Sequence, residues 1–163
     1  IISGKADEID LSEAIAKDPD CSKDSTILND MAPDKSHTAT TAMSVIFSAP
    51  QIMSVGQSLS EIEEADQPCV IGEVSFDNQG RSRVMGVNCG LLRIYACPKS
   101  SLILGASMVG PDAEYIAHIL ATAITNKVDI DGLLASPFYH PTILEGPRTA
   151  LRDVAGKIRE YQP

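Results

Sequence analysis

The sequence predicts an α+β fold, an antiparallel sheet carrying helices mostly on one face. Three observations lead there. Strand-like segments come first, at about residues 44–55, 69–76, 87–96 and 101–109. Turn chemistry separates them, with Asp77-Asn78-Gln79-Gly80 as one turn and Cys97-Pro98-Lys99-Ser100 as a hairpin loop. Helical periodicity follows only afterwards, from about Asp112 to the C-terminus.

Residues 1–37 stand apart. Asp7, Glu8, Asp10, Glu13, Asp18, Asp20, Asp24, Asp30 and Asp34 fall here, with Pro19 and Pro33 as breakers. High charge and low hydrophobicity make this an acidic arm poorly suited to fold alone. Its one helical pattern is short, about Asp10 to Lys17 with Leu11, Ala14 and Ile15 on one face. The folded domain is expected over residues 38–163.

Within that domain, Ser44-Val45-Ile46-Phe47 and Ile52-Met53-Ser54-Val55 flank Pro50, which argues against one continuous central strand. Ser58 or Ser60 can cap a short helix through about Ala65, with Glu61, Glu63 and Glu64 near its positive end. Cys69 to Phe76 reads as strand, and Gly80 can take positive φ in the turn that follows. Two strands come next, Val87 to Ala96 and Ser101 to Val109. In the second, apolar residues occupy both alternating sets, so it is expected at the centre of the sheet, covered on both faces.

Gly110-Pro111-Asp112 ends the sheet and opens a helix to about Asn126. Tyr115, Ile116, Ile119, Leu120, Ala123 and Ile124 form its apolar stripe, with His118 off the centre as a partly exposed residue. Ile130 to Leu134 makes a short helical turn. Leu151, Val154, Ile158 and Tyr161 mark a last helix, with Arg148, Arg152, Lys157 and Arg159 on its other side as a solvated face or as ion pairs. A proline inside a helix costs about 3 kcal/mol. One turn is therefore expected at Thr142–Glu145, then a kink or restart at Pro147.

Composition narrows the function classes. The chain has 163 residues with 44% hydrophobic content, enough for one ordinary core. No apolar run approaches the roughly 20 residues of a membrane span. A net charge of −9 repels phosphate backbones and argues against nucleic-acid binding. The chain opens on Ile1 with acidic residues close behind, which argues against a signal peptide and for a piece of something longer. Cys21, Cys69, Cys89 and Cys97 form no CxxC pair. Cys89 and Cys97 in one unbroken strand would lie about 26 Å apart, too far for a disulfide. Such scattered thiols fit a reducing, cytoplasmic setting. His37, His118 and His140 are too dispersed for a zinc site.

The chemistry concentrates in Phe138-Tyr139-His140-Pro141-Thr142-Ile143-Leu144-Glu145. Histidine moves protons near neutrality, and a carboxylate beside it can orient the ring and favour its charged form. Pro141 drives His140 towards extended backbone, and a turn beginning near Thr142 could bring Glu145 back to the ring. A structural alternative stands beside this one. Thr142-x-x-Glu145 is also a helix capping box, whose side chains only satisfy free backbone N–H groups.

His140-Pro141-Thr142-x-x-Glu145 resembles the C-terminal signature of the FAD-dependent pyridine nucleotide–disulfide oxidoreductases. Three further segments resemble the family in family order. They are Ser48-Ala49-Pro50-Gln51-Ile52-Met53-Ser54-Val55-Gly56, Gly80-Arg81-Ser82-Arg83, and Ile103 through Pro111. The resemblance covers about residues 44–160 and is nearest to dihydrolipoamide dehydrogenase.

It implies the FAD/NAD-linked reductase dimerisation-domain architecture and a homodimer. In it, His140 would be the base for a dithiol or disulfide substrate in the other subunit's site, its ring held by Glu145. A cis His140–Pro141 bond is implied as well. Some relatives that do not handle dithiols, soluble transhydrogenases and mercuric reductases, replace this histidine, so His140 favours a thiol–disulfide substrate such as a dihydrolipoyl group. FAD and NAD(P) are implied for a full-length enzyme, but this chain has no GxGxxG and no Cys-x4-Cys. Alone it is expected to bind neither nucleotide and to turn over nothing. Ile1-Ile2-Ser3-Gly4 is similar to the end of the family's FAD domain, yet Lys5 stands where the family has aspartate, so no cofactor-binding residue is assigned. The alternatives are a glutathione reductase-type domain, or a stand-alone dimerisation or adaptor module.

Overall fold

The computed structural model describes residues 41–161. The acidic arm, with its expected helix and the Ile1–Lys5 segment, lies outside the described residues. Five strands form one sheet in the order β1-β2-β5-β4-β3, every neighbouring pair antiparallel. They are β1 Met43–Ile46, β2 Gln51–Gly56, β3 Val70–Ser75, β4 Leu91–Ala96 and β5 Ile103–Gly110. Between and after them lie α1 Leu59–Glu64, α2 Gly80–Met85, α3 Ala113–Thr125, α4 Ile130–Ala135 and α5 Glu145–Tyr161. The α+β architecture is as expected, with β5 at the centre.

Alternation along the strands explains the core. The register places Met53 and Leu92 on either side of Met108, and Val55 and Ile94 on either side of Ala106. These six residues share one face, and all are buried. On that face α3 contributes Ala113, Ile116, Ala117, Leu120 and Ala123, and α5 contributes Ala150, Leu151, Val154, Ala155 and Ile158. Tyr115 and Ile119, expected in the stripe, are 60% and 39% exposed, so the buried face of α3 runs through its alanines instead. His118 is exposed. The opposite sheet face carries polar pairs: Tyr95 Oη lies 2.7 Å from Ser107 Oγ, and Arg93 Nε 3.3 Å from Glu73 Oε2.

Helix α5 lies very close to β3. A Cβ at Gly72 would clash with the Ala150 carbonyl oxygen and lie 2.8 Å from the Val154 backbone nitrogen. The same helix occupies the outer side of β3, a strand with a neighbour on one side only. Lys157 Nζ donates to the Ile71 carbonyl oxygen at 2.7 Å and to Asp153 Oδ2 at 2.8 Å. Asp153 Oδ2 accepts from the Glu73 N–H at 3.0 Å. Lys157, expected on a solvated face or in ion pairs, is thus paired with Asp153, and the two together occupy backbone groups of an edge strand.

Four local expectations change. Gly80 is no turn residue of positive φ but the first residue of α2, capped by Gln79, whose side chain accepts from the Ser82 N–H at 2.7 Å. The strand expected from Val87 begins at Leu91, because Gly86 ends α2 at φ 71 and Gly90 sits at φ 108. Cys89 therefore lies outside the strand and is exposed, while Cys69 and Cys97 are half-buried, so the thiols are not uniformly interior. Pro147 brings no kink. The residues before it turn without a full helical bond, and α5 starts at Glu145, which puts Pro147 in the first turn, where its missing N–H costs nothing.

Candidate functional site

Two apolar anchors hold the Phe138–Glu145 segment against the body. Ile143 is buried and Phe138 packs on the core, whereas Tyr139 and His140 between them are exposed. The His140–Pro141 peptide is cis, as expected. Thr142 Oγ1 donates to the Tyr139 carbonyl oxygen at 2.8 Å, closing the loop on itself. From outside, Gln79 Nε2 donates to the Thr142 carbonyl oxygen at 2.8 Å. At the start of α5, Gly146 lies under Phe76, whose Cε1 would be 2.7 Å from any Cβ placed there.

This frame brings His140 and Glu145 together, with Nδ1 of the ring 2.7 Å from Glu145 Oε1. The other carboxylate oxygen, Oε2, accepts from the Thr142 N–H at 3.2 Å. Half of the capping box is therefore present. The reciprocal half is not, because the Glu145 N–H goes to the Thr142 carbonyl oxygen at 3.4 Å and not to its hydroxyl. The hydrogen bond to His140 is the largest influence on the Glu145 carboxyl; with the Thr142 amide and the charges of His140 and Arg148 it outweighs desolvation and holds the group below the ordinary carboxylate range. An ionised Oε1 is an acceptor only, so Nδ1 carries a hydrogen, and in the neutral ring Nε2 is then the acceptor. The histidine side chain is 79% exposed. A pair this exposed contributes only about 0–1 kcal/mol.

The ring stands over an open cleft whose other lining residues include Asn78, Gln79, Arg81 and Thr149. Arg148 lies behind it, its guanidinium carbon 5.5 Å from the Phe138 ring centroid. Its Nε is buried without a hydrogen-bond partner among the described residues. Gln79 and Arg148 were not legible as site residues in the sequence. The long-range bond of Gln79 leaves no local pattern. Among the described residues no cluster of three or more His, Cys, Asp or Glu could hold a metal ion, and no helix is long and apolar enough to cross a membrane.

Residues 42–151 match the family described as "Pyridine nucleotide-disulphide oxidoreductase, dimerisation domain". The chain belongs to this family. Dihydrolipoyl dehydrogenase of Haloferax volcanii is 30% identical over 112 residues, covering 69% of this chain and 24% of the relative. A soluble pyridine nucleotide transhydrogenase of Hahella chejuensis is 30% identical over 117 residues, covering 69% of this chain and 25% of the relative. Among solved structures, the HOCl-induced flavoprotein disulfide reductase RclA from Escherichia coli shares the fold at a TM-score of 0.64 and 20% identity, over 72% of this chain and 26% of that one. The chain thus spans about a quarter of the length of the relatives it matches. Within this dimerisation-domain family its similarity is to dihydrolipoyl dehydrogenases among others.

Proposed function

We propose that this dimerisation domain serves a dihydrolipoyl dehydrogenase-like flavoprotein as one half of a homodimer. In that reading His140 and Glu145 form the base that acts on a dithiol or disulfide bound at the partner subunit's site. The observation that carries it is the 2.7 Å contact of Nδ1 with Glu145, which leaves Nε2 free on an exposed ring.

The chemistry follows from the sulfur. A thiolate, not a thiol, attacks a disulfide, so a dithiol substrate must lose a proton as it reacts. Nε2 accepts that proton. Glu145 then faces an imidazolium and stabilises its charge without turning the ring. In the reverse direction the proton returns from Nε2 to the departing thiolate. Positioned acid–base groups of this kind contribute about 100- to 10,000-fold to rate.

The residues of this chain do not fit FAD or a nicotinamide nucleotide. Every strand pairing among the described residues is antiparallel, so these residues hold no βαβ unit, and the sequence has no GxGxxG. FAD and NAD(P) belong in this reading to the remainder of a longer enzyme.

The test is a chimera in which the matching segment of Haloferax volcanii dihydrolipoyl dehydrogenase is exchanged for this domain. It is expected to be dimeric and to oxidise dihydrolipoamide, and His140→Gln is expected to lower that turnover at least about 100-fold. Transfer from reduced nicotinamide to an artificial dye, which needs no dithiol proton, is expected to persist. A His140→Gln chimera with undiminished dithiol turnover would sink the proposal.

A further inference from the structure

We propose that Cys69 and Cys97 form a thiol–disulfide centre on the sheet face turned away from α3 and α5, oxidised to an intramolecular bridge by small disulfides. In the β3·β4 ladder Val70 stands opposite Ala96, Ile71 opposite Tyr95, and Glu73 opposite Arg93. Cys69 immediately precedes Val70 and Cys97 immediately follows Ala96. Both cysteines lie one residue beyond the paired strands, and continuing the same register by one step would set them face to face. Directly opposed residues of an antiparallel pair have Cα atoms about 4.5–5.5 Å apart, within the roughly 4.4–6.8 Å that a disulfide spans.

Alternation puts both side chains on the face of Ile71, Glu73, Arg93 and Tyr95. On that face Arg93 and Glu73 already reach each other across the same two strands, at 3.3 Å. The Cys97 charge is one of the smaller influences that raise the Cys69 thiol. Both are half-buried, and Cys69 lines an open cleft with Glu63, Gln67 and Ile71. Cys97, outside that cleft but only half-buried, is itself open to a small oxidant.

The two sulfurs are unequal. At Cys97 desolvation pushes the thiol up. The Ser100 hydroxyl, the Ser100 and Lys99 backbone groups and the Lys99 charge outweigh it and leave the group below its ordinary value. At Cys69 desolvation pushes the thiol up, and a hydrogen bond involving the Ala96 backbone does not offset it. Cys97 is thus the attacking sulfur and Cys69 the resolving one. The Cys97 thiolate attacks one sulfur of a disulfide such as oxidised glutathione and expels the other half as thiolate. Cys69 then attacks Cys97 of the mixed disulfide and expels the second half. The two protein thiols are oxidised, the small disulfide is reduced to two thiols, and the protons of Cys69 and Cys97 pass to the two leaving groups.

The test equilibrates the full chain with oxidised glutathione, alkylates the remaining thiols and maps peptides by mass. The expected product is a Cys69–Cys97 linked pair, lighter by two hydrogen atoms. It should persist when Cys21 and Cys89 are changed to serine, and should revert on adding reduced dithiothreitol. In Cys69→Ser, Cys97 should hold a stable glutathione adduct, formed at least about 10-fold faster than any adduct at Cys69 in Cys97→Ser. Full alkylation of Cys69 and Cys97 after excess oxidant would overturn the proposal, as would bridging of either one to Cys21 or Cys89 instead.

Discussion

Gln79 reaches across to the loop carrying the histidine, its Nε2 donating to the Thr142 carbonyl oxygen at 2.8 Å while its Oε1 caps α2 through the Ser82 N–H at 2.7 Å. One amide thereby joins the start of a short helix to the backbone two residues beyond His140. Ser82, fully buried, reinforces the junction, its Oγ 2.8 Å from the carbonyl oxygens of Phe76 and Gln79.

Gln79→Ala removes both bonds and is expected to cost about 1–2 kcal/mol in urea denaturation. Gln79→Glu separates the two roles, because a carboxylate still caps Ser82 but cannot donate to Thr142. In the chimera it should lower dithiol turnover while keeping most of the stability. Equal turnover in Gln79→Glu and the parent would show that the bond to Thr142 does not position the histidine.

Glu145→Gln tests the orientation of the ring. An amide offers both a donor and an acceptor, so the preference for hydrogen on Nδ1 should relax, read from long-range proton–nitrogen correlations of His140. The stability effect has a defined sign. The Glu145 carboxyl lies below the ordinary value of 4.5, so its contribution is present above that value and is lost as pH falls through the depressed one. The parent should exceed Glu145→Gln by about 0.5 kcal/mol near neutrality, a size suited to an exposed pair, and the gap should close in acid. A gap that widens on acidification would contradict the assignment.

Gly72→Val tests how closely α5 approaches the sheet. The new side chain meets the Ala150 carbonyl and the Val154 backbone, neither of which can rotate away. About 1–3 kcal/mol should be lost, with a matching fall in Tm. An unchanged Tm would mean that the helix can lift at small cost.

Local features were legible in the sequence, and features that depend on pairing were not. Ser58, one of two expected caps, starts the short helix and closes a capping box with Glu61, and β5 lies at the centre of the sheet as its mixed apolar pattern led one to expect. His140 and Glu145 were readable because a five-residue turn needs no distant partner. Helix α2 was hidden. Val84 is 78% exposed and Met85 45%, so no apolar face announces it, and a buried serine holds it in place. The helix start beyond Thr142 was read three residues early, which made Pro147 look like a fault. Cys69 and Cys97 are far apart in sequence, and only the pairing of the strands they flank, Val70 opposite Ala96, brings their positions into relation.

Lys157→Met keeps the aliphatic stem and removes the ammonium that bonds the Ile71 carbonyl and Asp153. A loss of about 1 kcal/mol is expected, with a rise in light scattering at high protein concentration. Unaltered stability and scattering would make the contact incidental.

That last contact bears on assembly. Because one helix occupies outward-facing backbone groups of β3, a second molecule has little to hydrogen-bond with along that margin. With the Ile71 carbonyl and the Glu73 N–H already occupied, this stretch of the margin is a poor template for a further strand, and growth of the sheet from chain to chain is discouraged there.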